Sequence, residues 1–158
     1  MPRIEPGSRW ILLAVAVYLA QAGADVRWGP LSRLQHQDWY RLVSGGVLAA
    51  AVLGQLGLAW QRRTATAERS RALLVRHRQL GVATLGLLFL HATRPGFGYL
   101  LVLGLLIPLQ VSLGALWPAG HRARERTLRP RWRVVHATLG MTLVAGLLLH
   151  LWMVFAWH

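Results

Sequence analysis

The chain has 158 residues, 54% of them hydrophobic and 15% charged, and its mean hydropathy is positive; this apolar content exceeds that of an ordinary soluble domain. It has no cysteine, which excludes disulfides, thiolate metal sites and iron–sulfur ligation. The net charge of +13 rests on 18 basic residues, all of them arginine, and these lie in short blocks between apolar runs, as membrane orientation signals do and a nucleic-acid surface does not. Together these features specify an all-α integral membrane protein, a single transmembrane domain over residues 1–158 with lipid as its surroundings and no nucleic-acid partner.

Arg3 and Arg9 precede a short apolar run from Trp10 to Ala24. A secretory signal peptide has the same outline; the expectation here is a retained first transmembrane helix over 10–24. Asp25 to Asp38, with Gly29, Pro30 and His36, reads as a surface loop. A second span, 39–60, has Trp39 and Trp60 at its ends, where interfacial aromatic belts lie. Its small residues Gly46, Ala50 and Gly54 recur every four positions and predict a close helix–helix seam. Gln61 to Arg76 is polar and basic, and a third span follows over 77–93, closed by a turn at Arg94, Pro95 and Gly96. The fourth, 97–117, contains Pro108, a predicted kink. A second basic loop, 118–133, leads to the fifth span, 134–157.

Fourteen arginines fall on the N-terminal side of this five-helix arrangement, and four (Arg27, Arg33, Arg41 and Arg94) on the other. Positively charged segments stay inside, so the expected location is the bacterial cytoplasmic (inner) membrane, multi-pass, with the N-terminus cytoplasmic and the C-terminus outside. The third and fifth spans then run in the same direction.

Those two spans carry a repeat. His77 and His136 each begin H-x-x-L-G, and His91 and His150 each follow a leucine, so both histidine pairs are spaced by 14 residues. On a helix this returns the two rings to one face about 21 Å apart, too far for a single metal ion. The stripes His77, Gly81, Thr84, Leu88, His91 and His136, Gly140, Leu143, Leu147, His150 each line one helix face. Ionisable groups inside a membrane are usually functional, and here there are four imidazoles without a carboxylate among them. Two facing imidazoles fill both axial positions of a haem iron. Parallel spans put His77 level with His136 and His91 level with His150, so the chemistry expected is two haem b groups between helices 3 and 5: an inner pair, His77/His136, and an outer pair, His91/His150. Gly81 and Gly140, without side chains, let a flat macrocycle approach the backbone; the alternative is that they relieve crowding between helices.

The two H-x13-H helices with one helix between them, the run R-H-R-Q-L-G around His77, and Trp132, His136, His150 and Trp152 resemble the ferric reductase-like transmembrane family, a group of dihaem cytochromes b that includes NADPH oxidases, ferric reductases and the haem subunit of bacterial methionine sulfoxide reductase systems. The resemblance covers residues 39–157 and implies haem ligation by His77, His91, His136 and His150. It also implies transmembrane electron transfer, as a redox subunit of a membrane oxidoreductase. Two departures stand out: family members commonly have six helices, and nothing here resembles the flavin and nicotinamide module of the group's reductases, so a redox partner protein or quinone in a larger complex is expected to supply electrons. The quinol-oxidising cytochrome b family shares the two H-x13-H helices and is the nearest competing resemblance.

Haem propionates need cationic partners. Arg76, Arg78, Arg131 and Arg133 flank the inner histidines and Arg94 the outer ones, where lipid headgroups compete for the same charges. His36, His121 and His158 read as solvated, and the tryptophans as an interfacial belt. The alternative function is an accessory or assembly subunit of a larger membrane complex with structural haem or none; a histidine-lined metal carrier is weaker because the histidines form two separate pairs.

Overall fold

The computed structural model describes residues 6–24, 26, 28–116 and 122–156. Among them the protein is all-helical and has six helices: α1 Pro6–Gly23, α2 Gly29–Gln35, α3 Asp38–Gln61, α4 Ala67–His91, α5 Tyr99–Ala115 and α6 Arg122–Ala156. Each of the five expected spans has a helical counterpart, and α2 is additional.

The expected loop at 25–38 contains α2, seven residues long with proline in its first turn, where the fixed φ of proline suits a helix start. The helix of the third expected span, α4, starts at Ala67, ten residues before the expected His77, and that of the fifth, α6, at Arg122, ahead of the expected 134. Hydropathy marks where apolar side chains begin, whereas helix continuity depends on the backbone. Arginine, leucine and glutamate are good helix formers, and no glycine or proline interrupts 67–80. Both basic stretches are therefore largely helical extensions of the apolar segments.

Three stretches are long and apolar enough to cross a membrane: Asp38–Gln61, Ala67–His91 and Pro130–Ala156. Ser8–Gly23 and Tyr99–Ala115 are apolar but shorter. Only 22%, 22% and 11% of the residues in the three apolar windows are buried within the protein, and outward residues such as Val43, Val47, Val82, Met141, Leu148 and Phe155 are exposed. Surfaces this apolar suit lipid contact. The protein is thus a membrane protein by the length and composition of its helices.

The chain divides into two compact units, one of residues 20–95 and one of residues 1–19 with 96–158. In the first, α3 packs on α4 and α2 leans on both. Its core is Leu48, Ala49, Ala51 and Val52 of α3 with Leu73, Thr84, Leu85 and Leu88 of α4. The expected seam of Gly46, Ala50 and Gly54 holds at Gly54 and is displaced at the other two positions. Gly46 has open space beside it and Ala50 is exposed, while Gly45 and Gly54 face His91 and Leu80 of α4. Ala49 and Ala51 compete with Ala50 as small residues, and the face that also carries Leu48 and Val52 packs.

In the second unit α5 packs on α6. The helix α5 continues through Pro108, which is fully buried; its ring removes the N–H that would meet the Gly104 carbonyl, and Gly104 is itself buried. Trp117, His121, Trp157 and His158, named from the sequence, lie outside the described residues.

The C-terminal end of α4 is closed by side chains of its own unit. Gln35 of α2 donates to the carbonyls of Phe89 (3.1 Å) and Leu90 (2.9 Å), and Tyr40 of α3 donates to the Leu90 carbonyl at 3.0 Å. Thr93 donates to Gln35 Oε1 at 3.1 Å, and Gln21 donates to the Thr93 carbonyl at 2.6 Å. The last carbonyls of a helix have no partner within it; here two of them are met from α2 and α3, which anchors the turn that carries His91.

Candidate functional site

His77 and His91 lie on α4, and His136 and His150 on α6, so each H-x13-H pair sits within one continuous helix. Between the rings, Thr84 and Leu88 on α4 and Leu143 and Leu147 on α6 are buried, and all four histidines are half-buried. The two predicted stripes are therefore the inward faces of their helices.

In each unit the preceding helix places a polar side chain at both histidines. At His91 the partner is Ser44 of α3, whose Oγ lies 3.0 Å from Nδ1 and donates its own proton to the Tyr40 carbonyl at 2.7 Å. A hydroxyl has one proton to give, so Ser44 accepts from His91 Nδ1–H, and the lone pair of this imidazole is on Nε2. Beside it Gly45 leaves the ring its space: a Cβ there would come within 2.9 Å of His91 Cε1. At His150 the partner is Tyr99 of α5, with its hydroxyl 3.4 Å from Nδ1 and the ring centroids 6.2 Å apart.

The inner histidines face glutamines. With the Gln55 amide of α3 oriented to satisfy its neighbours, its nitrogen donates to His77 Nδ1 at 2.6 Å and to the His77 carbonyl at 3.1 Å, and its oxygen accepts from the Gly81 N–H at 2.6 Å. On α5, Gln110 Nε2 donates to the His136 carbonyl at 2.9 Å. Trp132 lies flat on His136, with centroids 4.7 Å apart and planes 8° off parallel, and its indole N–H donates to the Leu113 carbonyl of α5 at 3.0 Å.

Gly81 and Gly140 are the places where these amides sit: a Cβ would stand 3.1 Å from the end of the Gln55 amide and 3.0 Å from Gln110 Nε2, respectively. Of the cations named from the sequence, Arg76, Arg78, Arg94, Arg131 and Arg133 are exposed. His36 is also exposed. Among the described residues no three histidine or carboxylate groups converge on a point that would hold a free metal ion.

Sequence reading missed Ser44, Gln55, Tyr99 and Gln110. A signal was present, because Gln55 and Gln110 are polar residues inside apolar runs and both lie 11 residues after their unit's outer partner, Ser44 or Tyr99. No protein family, curated protein or solved structure matches this chain.

Proposed function

We propose that the protein carries electrons across a membrane through two b-type haems, as the redox subunit of a membrane oxidoreductase. The residues that would hold the haems in this reading are His77 with His136 and His91 with His150, paired by the equal spacing in sequence and the arginine distribution. The observation that carries it is the doubled constellation: two helices each bear histidines 14 residues apart on an inward face, and each histidine meets a polar group from the preceding helix.

The donor chemistry suits haem. Ligating histidines typically donate their second ring N–H to a neighbouring acceptor, which fixes the tautomer and raises ligand basicity. His91 does this toward Ser44, leaving Nε2 to ligate. At His77 the Gln55 amide is turned the other way, so ligation through Nε2 requires the amide to rotate and offer its oxygen to Nδ1–H. Haem b held by these residues would supply reversible one-electron chemistry.

What the chain's own residues do is hold and insulate. Leu88, Leu143 and Leu147 keep water from the stretches between the histidines, and Trp132 fixes the plane of the His136 ring. Arg78 and Arg133 at the inner level and Arg94 at the outer are exposed cations suited to propionate carboxylates. The arginine excess makes the level of His77 and His136 the cytoplasmic one, in a bacterial inner membrane with the N-terminus inside. A quinol or a flavoprotein is the class of donor this arrangement needs.

The test is a pyridine haemochrome assay on purified protein with single histidine replacements. Two haems per chain, falling to one in His91→Ala or His136→Ala, is the expected result. Absorbance unchanged in all four single variants would sink the proposal, and reduction of the haems by added quinol or flavoprotein would identify the donor.

A further inference from the structure

The two units share more than histidine spacing. In each, a glutamine from the first helix of the hairpin lies on the glycine four residues after the inner histidine, with its amide nitrogen donating to that histidine's carbonyl: Gln55 on His77 at 3.1 Å and Gln110 on His136 at 2.9 Å. A Cβ on Gly81 would meet the end of the Gln55 amide at 3.1 Å, and one on Gly140 would meet the Gln110 amide nitrogen at 3.0 Å, so in both units glycine is what lets the amide reach the backbone. The outer partner precedes the glutamine by 11 residues in both helices, about three turns. Ser44 and Tyr99 thereby occupy equivalent positions, as do Gln55 and Gln110.

We propose that Gln55 and Gln110 are equivalent positioning residues, each fixing the helical turn that carries its inner histidine, and that Gln55 additionally selects the tautomer of His77. This rests on the reading of His77 and His136 as ligands. A helical carbonyl already accepts from the N–H four residues on, here that of the glycine, which at Gly81 is shared with the Gln55 oxygen at 2.6 Å, and the amide nitrogen supplies a second donor to the carbonyl's other lone pair. Within a membrane interior, where no water competes, such a bond holds a turn against rotation. The two sites then differ in one respect. Gln110 donates to the backbone carbonyl of its histidine, whereas Gln55 also reaches Nδ1, so an occupied Nε2 on His77 is coupled to rotation of the Gln55 amide.

The experiment compares Gln55→Met and Gln110→Met, which keep length and packing but remove the donors, using histidine labelled at the carbonyl and ring nitrogens in the whole chain in detergent. Gln55→Met is expected to move the His77 carbonyl and Nδ1 resonances, and Gln110→Met the His136 carbonyl alone, with His91 and His150 unchanged in both. In the haem-loaded protein the same variants should change the electron paramagnetic signature of one haem and leave the other as in wild type. Gly81→Ala and Gly140→Ala, which push the amide off its seat, should reproduce the two patterns if a methionine variant does not fold. Unmoved His77 and His136 resonances in the folded variants would overturn the inference. Wild-type protein that takes up no haem would instead overturn the functional reading, while the resonances still decide the role of the glutamines.

Discussion

The hairpins α3–α4 and α5–α6 reach the same histidine placement by different means. In α3–α4 the outer ring sits against a glycine, Gly45, and donates to a serine at 3.0 Å; in α5–α6 the equivalent positions are Leu100 and Tyr99, and the tyrosine hydroxyl stands off at 3.4 Å. At the inner level the order reverses. His136 gains a flat aromatic neighbour, Trp132, whereas the equivalent position four residues before His77 is Leu73. Hydrogen bonding dominates one hairpin and ring packing the other, so equal spacing along a helix does not require equal surroundings.

That contrast breaks most severely at Gly45. Gly45→Leu inserts a side chain where even a Cβ meets His91 Cε1 at 2.9 Å, and the ring must leave its place. The expected outcome is one haem per chain in place of two, with helix content by circular dichroism unchanged; two retained haems would show that His91 does not depend on this seat. Next is Trp132→Ala, which removes the stack on His136 and the bond to the Leu113 carbonyl, together about 2 kcal/mol. Unfolding in detergent measures it, and Trp132→Phe, which keeps a stacked ring, should recover roughly half of that loss.

The histidine positions and the inward faces of α4 and α6 were legible from sequence because they depend on spacing within one helix. What α3 and α5 bring to those faces was not, since it depends on how each helix is rotated about its own axis. One residue of misplacement turns a helix by about 100°. The seam read at Gly46, Ala50 and Gly54 makes that error at its first two members, although Gly54 does face Leu80 of α4, and it turns Gly45 and Gln55 away from α4. Leu48 and Val52, large residues on the face that packs, decide the rotation over the small-residue period. The helix starts were missed for a separate reason: arginine-rich sequence looks like a loop to hydropathy, yet it favours helix.

The smaller effects sharpen the comparison at the outer histidines. Ser44→Ala deletes the acceptor of His91 Nδ1–H, and loss of such a partner weakens metal binding by roughly tenfold or more; haem release to apomyoglobin from the otherwise loaded protein is the readout. Tyr99→Phe removes a hydroxyl 3.4 Å from His150 Nδ1, beyond the usual range for an O–H donor or acceptor, while keeping the ring that lies beside the imidazole. Its effect on haem release should be less than about twofold by the same distance argument. If Tyr99→Phe instead matches Ser44→Ala, then His150 relies on its hydroxyl partner as His91 does, and the division into a hydrogen-bonded hairpin and a ring-packed one fails at the outer level, leaving Trp132 as its sole support.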